Sequence, residues 1–123
     1  MAISSLAAVE RLTAWGTKYT YAKMHTGDPG ALGTANAATE TDRVSTTWDA
    51  PDDSVAGVVT MTHTNQLDLT GVAASEDYTY VSYWSASSGG DYGGNGPITS
   101  DAVVIGDNWF LPVGALIVSQ PCA

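Results

Sequence analysis

His25 stands inside the densest run of unusual residues in the chain, "KMHTGDPGALGT" at positions 23–34, which holds a His, an Asp, a Pro and three glycines. A histidine beside an aspartate and mobile glycines could serve as a general base, a metal ligand or part of an anion-binding loop. The other residues able to do chemistry are His63, the pair Asp52-Asp53, and Cys122 beside the C-terminus.

Each chemistry needs more than one such group, and the partners are sparse. A hydrolytic triad needs a nucleophile oriented by a base. Serines are plentiful, but the only bases of that kind are His25 and His63, and no G-x-S-x-G elbow occurs. Zinc takes three or four His, Cys or carboxylate ligands. Two separated histidines and one terminal cysteine do not make that set. A phosphate loop needs a Lys after its last Gly and a helix beyond it, whereas "GDPGALGT" has the glycines and no lysine. "DYGGNG", at 91–96, lacks the alternating oxygen ligands and closing Glu of a calcium loop. Asp52 and Asp53 fall in a Pro-containing turn, whose default reading is a solvated loop. Cys122 reads as a free thiol at a frayed end. The expectation is therefore a non-enzyme with no catalytic, cofactor-binding or metal residues and no cofactor.

For "GDPG" the structural explanation is the stronger. Pro29 suits the second position of a turn, Gly30 the positive-φ third position of a type II turn, and Asp28 can bond its own downstream backbone. His25 then reads as a hydrogen-bonded strand-end histidine.

Composition bounds the partners. The net charge is −9, from 4 basic and 13 acidic residues. All four basic residues, Arg11, Lys18, Lys23 and Arg43, lie in the first 43 positions, and none follows. Nucleic acid and anionic lipid both require clustered cations, so neither is an expected partner. No apolar run reaches the length of a membrane span. Only 14% of residues are charged, so the surface is rich in Ser, Thr, Asn, Gly and Tyr, as suits a subunit packed in an assembly. The start "MAISSLAAVERLTAW" has no basic leader region, and the chain is expected to be made in a cytoplasm and kept as synthesised.

The elements that would position these residues are a helix and many strands. A helix is expected over 4–15, capped by Ser4 or Ser5 and stopped by Gly16, packing on the body of the domain or on a neighbour. After it come β-prone runs: "KYTYAKMH", "RVSTTWD", "GVVTMTHT", "QLDLT", "DYTYVSYWSA", "SDAVVI", "NWFLPV" and "ALIVS". Gly, Pro and Asp clusters separate them, among them Gly93-Gly94-Asn95-Gly96-Pro97, read as a turn. In "DYTYVSYWS" alternation places Tyr78, Tyr80, Ser82 and Trp84 on one face and Thr79, Val81 and Tyr83 on the other, so this strand is expected to be central. The fold class expected is all-β, an antiparallel β-sandwich or jelly-roll-like domain with one short N-terminal α-helix, as a single domain over 1–123.

In order along the chain, "YAKMHTGDPG" (21–30), "TDRVSTTW" (41–48), "YWSASSGG" (83–90) and "GDNWFLPVGALIVS" (106–119) resemble a group of small tailed-bacteriophage proteins known as tail-fibre, minor-tail or virion structural proteins. The second segment keeps Arg43 but lacks the Tyr of the family pattern. The resemblance implies a virion part with no catalytic residues. The absence of a long shaft sequence makes an outer capsid decoration (cement) subunit the leading expectation, with a tail-fibre or tail-tip protein as the alternative. The implied partners are other virion proteins, the major capsid protein or tail proteins, and further copies of the chain in a homo-oligomer, with a trimer considered. The implied location is the virion surface, after synthesis in the host cytoplasm. A carbohydrate-binding module contacting a host-surface glycan is the other reading, because Trp and Tyr on a sandwich can stack on sugars. Aromatics exposed in one shallow row would favour the sugar; buried aromatics would favour the structural part.

Overall fold

The computed structural model describes residues 3–123; the first two residues of the 1–123 domain lie outside the described residues. Helix α1 spans Ser5–Lys18. The strands are β1 (Tyr21–His25), β2 (Val44–Ser45), β3 (Val58–Thr62), β4 (Leu67–Leu69), β5 (Glu76–Trp84), β6 (Tyr92–Val103), β7 (Trp109–Leu111) and β8 (Ile117–Pro121).

All strand pairings are antiparallel. One sheet has the order β2-β1-β5-β6, and two ribbons, β3-β8 and β4-β7, complete the fold. The four-stranded sheet and the β4-β7 ribbon share one core: Ala22 and Met24 from β1, Tyr78, Val81 and Tyr83 from β5, Leu67 and Leu69 from β4, and Trp109 and Leu111 from β7. The class is all-β and antiparallel with one short N-terminal helix, as the alternation of β-branched and aromatic residues indicated.

β5 is central, lying between β1 and β6. Its two faces depart from strict alternation. Val81 and Tyr83 share a face as expected, and it is the core face, but Tyr78 joins them and packs edge-on against Trp109, with ring centroids 5.2 Å apart. The β5–β6 ladder shifts register between Tyr78 and Tyr80. A step of two residues on β5 there faces a step of four on β6, and regular alternation is interrupted at such an irregularity.

β6 is the larger correction. The run Gly93–Pro97, read as a turn, begins the longest strand, of 12 residues. Of its glycines, Gly93 serves close approach. A Cβ on Gly93 would stand 2.5 Å from the Tyr19 ring, and the Gly93 carbonyl accepts from Trp15 Nε1 at 3.0 Å. Pro97 is tolerated because β6 is an edge strand, where a missing N–H breaks no ladder.

α1 starts where the cap predicted, with Ala7 N–H donating to Ser4 Oγ at 3.1 Å. It does not stop at Gly16 but continues to Lys18. A Cβ at Gly16 would lie 2.8 Å from Met61 Cε, the movable end of a flexible side chain. The helix packs on its own body, burying Ala8 and Leu12 against Val59 and Met61, with Cys122 beside them. Cys122 is thus half-buried and its N–H donates to Gly57 O at 2.9 Å; it is not a frayed thiol, because the last residues extend beyond β8 along the helix.

Trp15 joins helix to sheets. Its ring contacts Tyr19, Trp48 and Tyr83, at centroid distances of 5.3, 5.3 and 5.2 Å. Such tilted and edge-on pairs add to the burial energy of each ring.

Candidate functional site

The outer face of the four-stranded sheet carries His25 and the "GDPG" segment beside it. β1 ends at His25, whose side chain is fully buried. Opposite it on β5, the same face carries Ser82 and Trp84, and β6 adds Tyr92 and Asn95. The segment 26–38 folds back over this face.

The hydrogen bonds form one chain. His25 Nδ1 lies 2.9 Å from Ala35 O, and His25 Nε2 lies 2.7 Å from Ser82 Oγ. A carbonyl can only accept, so Nδ1 carries the proton and Nε2 accepts from the Ser82 hydroxyl. Ser82 Oγ in turn accepts from Trp84 Nε1 at 2.7 Å. Every donor in the relay meets an acceptor. The Ser–His pair matches a nucleophile and base in type, but both side chains are buried and the third contact is a loop carbonyl. Burial, the largest influence, holds the His25 pKa below its ordinary 6.5, and Lys23 pushes the same way; the backbone bonds of the loop oppose it.

Arg43 caps the outer side of Trp84. Its guanidinium sits 4.2 Å from the indole centroid and donates to Ala86 O at 2.8 Å and Gly89 O at 2.6 Å. Trp84 also packs on Tyr92, 5.3 Å away. The Trp84–Ser82–His25 relay was missed in the sequence, although the strict alternation Ser82, Trp84 on one face of a strand was a usable signal.

"GDPG" forms the corner expected of it. Gly30 N–H donates to Asp28 Oδ1 at 2.8 Å, Pro29 is buried, and Gly30 has φ +75°. Tyr92 Oη donates to Gly30 O at 3.2 Å. Gly33, also at positive φ, lies against the Tyr92 ring, where a Cβ would meet it at 2.5 Å.

His63 sits elsewhere, at the end of the β3 run, bonded to the turn before β8. Ala115 N–H donates to its Nε2 at 3.0 Å. The ring proton must then be on Nδ1, which is buried with no hydrogen-bond partner. Burial lowers the His63 pKa below 6.5. The two histidines share no partner. Asp52 and Asp53 are exposed, and Asp52 Oδ1 accepts from Ser54 N–H at 2.8 Å, as a turn residue does. Among the described residues no three His, Cys, Asp or Glu side chains come together in a metal-binding group.

Of the Trp, Tyr and Phe side chains, Phe110 alone is exposed; the others are buried or half-buried. They do not form an open row. A cleft of about 450 Å³ lies between α1, β6 and β8, lined by Trp15, Tyr83, Arg11, Asn95 and Gln120 among others.

A family model described as podophage GP4 fiber I protein gp80 matches residues 6–119. The chain belongs to this family of podophage fibre proteins. The match runs from α1 to β8, so it covers the whole fold rather than one motif. It places the chain among phage structural proteins of the fibre kind, which is the alternative of the sequence reading and not its leading one. No curated protein matches the chain.

Proposed function

We propose that the chain is a non-enzymatic structural subunit of a podophage tail fibre, carried on the outside of the virion. The observation that carries this reading is the fibre-family match over 6–119. The fold is in keeping with it. Side chains that could do chemistry are spent on packing: His25 ties a loop to a sheet, His63 ties down the turn before β8, and Cys122 packs under the helix. Aromatic rings stitch α1 to the sheets. An enclosed aromatic core with hydrogen-bonded loops suits a part that must survive outside the cell without partners to refold it.

Capsid decoration, the leading expectation from the sequence, draws no support of its own from the family. The two readings differ in stoichiometry. Quantitative mass spectrometry of purified virions tests them: a fibre subunit will be far less abundant than the major capsid protein. Abundance approaching parity with the capsid protein would return the chain to the head.

A further inference from the structure

We infer that the outward face of the β4–β7 ribbon is a docking surface for a basic segment of a different protein, one that pairs an apolar side chain with flanking Lys or Arg. The inference rests on the virion-structural reading only for where that partner is found.

Phe110 is the centre of the surface. It is 56% exposed, while its strand neighbours Trp109 and Leu111 are buried. Two concavities flank it, of about 460 Å³ and 320 Å³. The adjoining turns carry further exposed apolar side chains, Val104 and Ile105 before β7 and Val113 after it. A large exposed aromatic side chain set between concavities is the usual anchor of an interaction site.

Charge selects the occupant. The charged residues lining the two concavities are Asp101, Asp107 and Asp68, with no cation among them. Their hydrogen bonds come from neutral groups: Trp109 Nε1 at 2.8 Å, Val104 N–H at 3.2 Å and Gln66 Nε2 at 2.7 Å. The salt bridge found among the described residues, Lys18–Asp91, involves none of the three. The chain has no Lys or Arg after Arg43 with which to neutralise them. An acid-rimmed apolar centre is complementary to a basic-rimmed apolar partner. A second copy is disfavoured: pairing this face with itself sets Asp against Asp. Two of the chain's four cations are also engaged, Lys18 with Asp91 and Arg43 with Trp84.

Two measurements test the surface. In solution, a peptide of alternating Lys and Leu is titrated against the chain by tryptophan fluorescence, beside a Glu–Leu and a Lys–Ser peptide. The Lys–Leu peptide will bind best, and Phe110→Ser will weaken it roughly tenfold or more, as loss of an anchor does. Should Phe110→Ser not fold, the double variant Asp68→Asn with Asp107→Asn takes its place, with the same loss expected. Equal binding of the Glu–Leu peptide, or no effect of either variant, overturns the inference wherever the chain resides. On intact virions, zero-length carbodiimide cross-linking will join Asp68, Asp101 or Asp107 to lysines of a different protein. Cross-links to Lys18 or Lys23 of a second copy overturn it, as does reaction of exposed Asp52 and Asp53 with none at these three. Cross-links to a head protein would sustain the surface and overturn the fibre assignment.

Discussion

Single residues carry unequal loads in this fold, and glycines show it best. Gly30 and Gly33 both have positive φ, but a Cβ on Gly30 meets nothing closer than Ala35 Cβ at 3.7 Å, whereas on Gly33 it meets the Tyr92 ring at 2.5 Å. Gly30→Ala should cost about 1 kcal/mol, from the left-handed backbone alone. Gly33→Ala should cost roughly 2–4 kcal/mol, because the ring must move as well. Urea denaturation of both variants checks the order. Ser82→Ala removes both the acceptor for Trp84 Nε1 and the donor for His25 Nε2, for a loss of about 2–3 kcal/mol. The histidines set a pH dependence. Both have pKa values lowered from 6.5 in the folded chain, so the unfolded chain takes up protons first as pH falls. Their contribution is complete above 6.5 and is lost progressively as pH drops below it towards the folded values. Melting temperature should therefore fall between neutral pH and about pH 5, above the range where carboxylates titrate.

Among the elements, α1 repays a test of whether it is an arm or a part of the body. Leu12 is 6% exposed and lies against Val59 and Met61. Leu12→Ala should cost roughly 2–4 kcal/mol, and removing residues 1–16 should abolish the cooperative melt instead of leaving a folded β body. Gly16→Ala should by contrast change stability by less than about 1 kcal/mol, since the helix gain offsets displacement of the flexible Met61 end. Circular dichroism melts of the three chains decide it. The elements also show where sequence reading succeeds. β1, β3 and β5 were legible because alternation of β-branched and aromatic residues reports burial directly. β6 was not, because Gly93 answers to Tyr19 and Trp15, residues 74 or more positions away in the chain. Local turn chemistry could not distinguish that from a true turn. The register shift beside Tyr78 was hidden for the same reason, as was the fold-back of 26–38 onto His25 and Tyr92.

For the whole molecule, the class, the central strand and the corner at "GDPG" could be read from the sequence, whereas the choice between head and tail could not. That choice depends on partners, which a chain's own packing does not encode. The stretch after Arg43, acidic and without a cation, points outward to other chains, and the fibre family gives the place to look. The most direct test is immunogold electron microscopy of intact virions with an antibody raised against this chain. The account predicts gold at the tail, on fibres projecting from it. Gold spread over the capsid faces, or none on any particle, would contradict it.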